Sequence, residues 1–303
     1  MPVEGGYWPL RDLQRLREAF MARVRLTVRL SDQACAEVSD PMMARSGTRR
    51  KRAEMDVELL MRTGAVVLIL ALTLVALLRW RGVTLGWAPL IALVRAAVQL
   101  AAIALLLRGV VAWAWMILLF IALMLATASL TAVGRLRQLQ NGPLAAVTGV
   151  VASGLIVPAI LLLTGIVSTQ PTQIIAIVGI LIGNSMSVST LAGRRFGAAA
   201  QARSGEIEGW WALGARSAVA HDQIVRDAVR EALVPNLDST RTTGLVTLPG
   251  AFVGALFGGA SPIEAGRFQL VVLGGIVLAQ TLTALIVTAI LARSTQLPVI
   301  PDR

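Results

Sequence analysis

No aspartate or glutamate occurs between Glu58 and Glu206. One bilayer crossing takes about 20 mainly apolar residues, so a carboxylate-free stretch of this length leaves room for several crossings in series. The composition agrees. The chain is 56% hydrophobic with a mean hydropathy of +0.72, above the roughly 45–50% apolar share of soluble domains. Seven candidate spans lie near 63–79, 87–107, 110–132, 146–168, 173–192, 244–260 and 268–292. Helices are the spanning form to expect, because in hydrocarbon each backbone amide must be satisfied within its own segment and these runs are too long for barrel strands. Trp80, Trp87, Trp113 and Trp115 fall near span ends, where amphipathic rings favour the interface. The expected fold is therefore all-α and polytopic, with about seven transmembrane helices and a helical cytoplasmic loop between the fifth and sixth.

The net charge of +11 follows membrane topology rather than nucleic acid, since the basic residues concentrate in the N-terminal segment and in short loops beside apolar runs. Arg79, Arg81, Arg135, Arg137, Arg194 and Arg195 fall in alternate loops. That places loop 193–243 and the C-terminus in the cytoplasm and residue 60 outside, as in a multi-pass protein of the cytoplasmic or inner membrane. The first 58 residues oppose this orientation, because they hold about eleven basic side chains, including Arg49, Arg50, Lys51 and Arg52. Two readings fit them. Leu10, Leu13, Leu16, Phe20 and Val24 could form an amphipathic surface helix, or the native chain could begin at Met55, which we favour. Three regions follow: a basic, poorly ordered extension over 1–58, a membrane domain over 59–293, and a short tail over 294–303.

One cysteine, Cys35, and one histidine, His221, cannot build a disulfide framework or a Cys/His zinc site within the chain. No metal site and no cofactor are expected. The sequence also lacks a Gly-x-x-x-x-Gly-Lys-Ser/Thr loop, so ATP hydrolysis by the P-loop route would have to come from another polypeptide. A membrane enzyme has no acid/base pair to draw on here.

The loop after the fifth span reads Glu206-Ile-Glu-Gly-Trp-Trp-Ala-Leu-Gly-Ala215, followed by a helical stretch with Val225, Val229 and Leu233 four apart. Pro235 is expected to stop that helix. Such a sequence builds a compact elbow of the kind by which permeases of ATP-driven transporters dock into a groove of their ATPase. An ordinary amphipathic loop helix fits the spacing equally well.

Further residues break that tie. Asp238-Ser-Thr-Arg-Thr-Thr-Gly-Leu-Val-Thr-Leu-Pro-Gly250, then Gly254, Gly258, Gly259, Ser261-Pro262, Ala265 and Phe268-Gln269 closely resemble the FetB family of iron-export permeases, which includes plant aluminium-sensitivity and aluminium-tolerance permeases. Also similar are Gly179-Ile-Leu-Ile-Gly-Asn184-Ser-Met186 and Arg95 with Gln99-Leu100. The resemblance covers about 60–303. It departs at Ala251 and Phe252, where the family commonly has two methionines, and at Phe268, where a tyrosine is usual. It implies the permease subunit of an ABC transporter, an exporter linked to iron or metal homeostasis, paired with itself and with a separate ATPase. Residues implied in coupling are Glu206, Glu208, Leu213, Gly214, Ala215, Arg216, Arg226 and Arg230.

Translocation-pathway candidates are Arg95, Gln99, Asn184, Met186, Pro249, Gly250 and Gln269. A charge at mid-membrane costs at least about 2.5–3.5 kcal/mol on insertion scales, so Arg95 should face the bundle interior, as a pathway residue or bonded to carbonyls or Asn184. Gln99 lies one turn on. Glycines four apart, at 179 and 183 and at 250, 254 and 258, predict close helix packing, and Pro249 interrupts the sixth span. The competing class is an ion- or proton-coupled carrier of a small organic or anionic solute. Such carriers usually use an intramembrane carboxylate or histidine, and the first five spans contain neither.

Overall fold

The computed structural model describes residues 45–83, 86–110, 114–167 and 170–297. Over those residues the chain forms ten helices: α1 Arg45–Trp80, α2 Ala88–Val110, α3 Ala114–Leu136, α4 Gly142–Leu163, α5 Pro171–Ala202, α6 Ser204–Ala212, α7 Ser217–Ala220, α8 Asp222–Thr242, α9 Gly250–Phe257 and α10 Pro262–Leu291. The amphipathic stretch expected over Leu10–Val24 and the last six residues of the tail lie outside the described residues. Five helices are long and apolar enough to cross a membrane: Met61–Trp80 within α1, Trp115–Leu136 within α3, then α4, α5 and α10. A shorter apolar stretch, Ala88–Ala104, forms most of α2.

The chain divides into two units, Met1–Leu100 and Ala101–Arg303. In the first, α1 turns through Gly82 at φ +70°, and the Arg79 guanidinium lies 5.6 Å from the centroid of the Trp87 ring. That distance is within cation–π reach, and Trp80 is exposed.

In the second unit the helix directions can be read from paired residues. Phe120 and Ile175 share one buried cluster, and Arg135 reaches Thr190 at the other end, so α3 and α5 run parallel. A Cβ on Gly149 would meet Val287, and one on Gly275 would meet Leu161, which makes α4 antiparallel to α10. Leu181 lies against Gly275, and Leu136, Phe196 and Leu291 share the core at the other end. α3, α5 and α10 thus point the same way, with α4 opposed.

This arrangement obliges the chain to cross back between Ala202 and Pro262, and no single helix does so. α8 starts beside the end of α5 and returns along it, with Asp227 3.0 Å from Arg203 and Glu231 3.2 Å from Arg195. Its Ile224, Ala228 and Ala232 pack into the core. An irregular stretch from Thr243 to Pro249 follows, then α9, which lies beside the starting ends of α5 and α10. The expected span over 244–260 is corrected accordingly. At eight residues α9 is about 12 Å long, because Pro249 precedes it and Gly259, at φ +90°, ends it. A capping box then restarts the chain as α10: Glu264 N–H donates to Ser261 Oγ and Ser261 N–H to Glu264 Oε2, with Pro262 in the first turn.

Two further expectations change. α5 continues ten residues beyond the anticipated end of its span at 192, because Gly193, Phe196, Gly197 and Ala200 are buried and keep the extension packed. Pro235 does not stop α8. Its ring sits on the exposed side, so the lost amide donor leaves the core-facing residues in place.

Close packing is carried by glycines other than those the four-residue spacing singled out. Gly179 does abut Met124, but Gly183, Gly250 and Gly254 have open space around them. Tight approaches between helices include Gly149, where a Cβ would sit 2.6 Å from Val287 Cγ2 and 3.4 Å from the Thr283 carbonyl oxygen, Gly193 against Leu136, and Gly275 against Leu161. Gly149→Val should therefore force α4 from α10 and cost about 1–3 kcal/mol by overpacking, read as a lowered melting temperature of the purified protein in detergent. Gly183→Ala, with no neighbour to meet, should leave it unchanged.

Candidate functional site

The elbow is α6, α7 and the turn between them. α6 ends in a Schellman motif: Ala215 N–H donates to the Trp210 carbonyl at 3.0 Å and Gly214 N–H to that of Trp211 at 2.9 Å. This turn requires Gly214 at φ +80°, where a side chain would cost on the order of 1–2 kcal/mol. Arg216 then returns to extended backbone and caps α7. Ile207 and Trp211, four apart on α6, face inward: Ile207 is fully buried and Trp211 packs against the same core. The outer surface carries Glu206, Glu208, Trp210, Gly214 and Arg216, with Leu213 at the tip, 82% exposed. Ala215 is half-buried. On α8, Arg226 pairs with Asp222 and Arg230 is exposed. The eight coupling candidates thus lie on two neighbouring elements, six of them within eleven residues of the elbow.

Under the elbow lies His221, 1% exposed, between α7 and α8. Its ring stacks on Phe196 of α5 at 5.4 Å and lies 6.0 Å from Trp211. Nδ1 is 2.7 Å from the Ser217 carbonyl oxygen. Sequence reading set this residue aside as a lone loop histidine; only the fold brings Phe196 and Trp211 to it.

The interior of the bundle holds polar groups in two sets. Ser153 of α4 lies 2.9 Å from Ser185 of α5 and 2.7 Å from Thr283 of α10, a chain of hydroxyls joining three helices, all fully buried. Interhelical bonds of this kind contribute about 0.6 kcal/mol each. Beside it, Gln280 Nε2 donates to Asn184 Oδ1 at 3.0 Å, and Asn184 Nδ2 donates to the Ile180 carbonyl. Asn184 thus finds its partner on α10, where the sequence had suggested Arg95. The buried Gln280 was a legible signal, a polar residue inside an apolar helix, that the sequence reading passed over.

A cavity of about 890 Å³ opens between the starting ends of α5 and α10 and α9, with Gln173, Gly254, Glu264, Arg267 and Phe268 among its lining. The pathway candidates do not converge on it. Asn184 and Met186 sit deeper on α5, Met186 packed against the core. Pro249 caps α9, and Gly250 is exposed. Gln269 is buried on α10, with Oε1 lacking a partner. Arg95 and Gln99 are exposed side chains of the N-terminal unit. Among the described residues no group of three or more His, Cys, Asp or Glu side chains could hold a metal ion.

A chain with these apolar helices is a multi-pass membrane protein. It belongs to the family described as uncharacterised protein family UPF0014, which matches residues 62–295. It is 32% identical over 202 residues to the UPF0014 membrane protein STAR2 of Oryza sativa subsp. japonica, covering 66% of this chain and 70% of that one. It is 34% identical over 171 residues to the protein ALUMINUM SENSITIVE 3 of Arabidopsis thaliana, covering 56% and 62% respectively. It is 36% identical over 114 residues to the "Probable iron export permease protein FetB" of Escherichia coli (strain K12), covering 38% of this chain and 44% of that one. No solved structure matches.

The elbow's geometry gives a direct test. Gly214→Val should raise amide hydrogen exchange over 210–217 by about 10-fold, as a cost of 1–2 kcal/mol in the turn implies, with α4, α5 and α10 unaffected.

Proposed function

We propose that this protein is the permease subunit of an ABC transporter of the inner membrane, an exporter linked to iron or metal homeostasis, working as a pair of identical chains with a separate ATPase. The observation that carries the reading is Leu213. A large apolar side chain 82% exposed, at the tip of a turn whose backbone is fixed by an αL glycine and whose base is anchored by Ile207 and Trp211, is a surface shaped to be covered. Burying a leucine contributes about 1.5–3 kcal/mol, and Trp210 adds aromatic area of the kind that dominates binding hot spots. Glu206 and Glu208 on one side and Arg216 on the other supply a charged rim suited to orientation rather than affinity.

The relatives support the transport class, since one is named an iron export permease. In this reading nucleotide binding closes the ATPase subunits, the elbow follows, and differential affinity for two states of the membrane bundle shifts it between inward and outward openings. The permease hydrolyses nothing itself. The broken return crossing between α8 and α9 supplies irregular backbone at membrane depth, tolerated where it is covered by protein or lines a watery path, and Pro249 and Gly250 lie at that break. Arg95, Gln99, Asn184, Met186 and Gln269 stay as pathway proposals to be tested by substitution.

Leu213→Asp should lower recovery of the copurifying ATPase by at least about 10-fold, the equivalent of 1.4 kcal/mol, without changing the yield of folded permease. ATP-dependent efflux from vesicles, screened over iron salts, iron chelates and small organic anions, should fall in step. Transport that persists without nucleotide would point instead to an ion-coupled carrier.

A further inference from the structure

We propose that His221 is the positioning residue through which movement of the elbow reaches the membrane helices. This rests on the coupling reading above and names the part of the chain that transmits it. The imidazole is held by three elements at once. Its backbone N–H donates to the Ser217 carbonyl at 3.1 Å, and its own carbonyl accepts from Val225 N–H at 2.9 Å, so the residue closes α7 and opens α8. The same Ser217 oxygen also takes Nδ1 at 2.7 Å. A carbonyl only accepts, so Nδ1 carries the proton and, in the neutral ring, Nε2 is left as an acceptor. α7 is thereby clamped to the start of α8 by backbone and side chain together.

The ring's two faces and edge meet different parts of the molecule. Phe196, stacked at 5.4 Å with an interplanar angle of 24°, belongs to the end of α5; Trp211, tilted at 59°, belongs to the elbow helix α6. His221 also lines a small cavity of about 10 Å³ with Gln140, Leu291 and Ser294. There Gln140 Oε1, from the α3–α4 turn, accepts from Ser294 Oγ, Thr295 N–H and Gln296 N–H, tying the end of α10 to that turn. One imidazole therefore stands between the elbow and the inner ends of α5 and α10.

Two unused groups mark this contact as a place that can rearrange. Trp211 Nε1–H is a buried donor without an acceptor, and His221 Nε2 a buried polar atom without a partner. An unsatisfied buried group costs roughly 1–3 kcal/mol, and the two lie on adjacent rings. A small rotation of α6 toward His221 lets Trp211 donate to Nε2, so displacement of the elbow is favoured by a bond that the present arrangement lacks. The unpartnered Trp211 donor and the His221 nitrogen belong to rings whose centroids are 6.0 Å apart, and in the neutral ring the two are complementary.

The test uses the full permease–ATPase complex in vesicles, in a Cys35→Ala background with spin labels at Thr172→Cys, which lines the large cavity, and at Ile263→Cys, next to the lining residue Glu264. The readout is the change in label distance between the nucleotide-free and ATP-vanadate states. In His221→Ala and His221→Phe, the complex should assemble and hydrolyse ATP within about 2-fold of the parent, while the nucleotide-induced change falls at least 3-fold. Trp211→Phe, which keeps the ring and removes the N–H, should show the same loss. His221→Asn, which can still donate to the Ser217 carbonyl but offers no Nε2, should recover little. An undiminished distance change in the folded variants would overturn the proposal while leaving the coupling reading intact. If no His221 variant assembles, the residue is a fold element only and the proposal also falls. If the parent complex shows no nucleotide response, the coupling reading itself has failed.

Discussion

In the hydrocarbon core every peptide N–H and C=O must find its partner within the protein, and that demand decides most of what this chain does. It turns the carboxylate-free region into helices. It also makes the departures from helix informative, because each must be covered or functional. The largest departure is the return crossing between α8 and α9, where helix gives way over Thr243–Pro249. The parallel course of α3, α5 and α10 requires a return there, and the sequence fills it with Gly244, Pro249 and Gly250, residues unsuited to an unbroken helix.

The same structure shows where the helices are held together. Ser153, Ser185 and Thr283 bind three helices at mid-bundle, and Gly149 and Gly275 bring α4 and α10 together with no room to slide. Where α8 leaves the end of α5 there are also ion pairs, the exposed Arg195 with Glu231 and the half-buried Arg203 with Asp227, and pairs near the surface contribute little each. They fix the direction of α8 more than its energy. The packing there is carried by Ile224, Ala228 and Ala232 of α8 and by Ile207 and Trp211 of the elbow, which join the same core.

How much of this the sequence discloses depends on the range of the interaction concerned. Hydropathy places α1, α3, α4, α5 and α10, because burial in lipid is read residue by residue. Local turn chemistry places the elbow, since Leu213-Gly214 after two tryptophans announces a helix end. The capping box of Ser261 and Glu264 that starts α10 is a finding of the structure, although its residue types are those that open helices. Hydropathy fails where packing overrides it: α5 runs on to Ala202 because Phe196 and Ala200 are buried by other helices, and Pro235 is carried inside α8 by core contacts before it. Pairings between distant helices were illegible. Asn184 finds Gln280, and His221 finds Phe196 and Trp211, through a tertiary arrangement that no spacing within one segment encodes. Four-residue glycine spacing was a poor guide for the same reason, since what matters is which neighbour approaches.

The sidedness of the two ends is the point on which everything turns. Leu213 at the elbow tip and Ile263 at the start of α10 are both exposed, and the parallel course of α5 and α10 puts them at opposite ends of the bundle. In a Cys35→Ala background, a membrane-impermeant thiol reagent applied to intact cells should label Ile263→Cys and spare Leu213→Cys, with the pattern reversed in inside-out vesicles. Labelling of both positions from one side, or of Leu213→Cys from outside, would contradict both the broken return crossing and the cytosolic elbow.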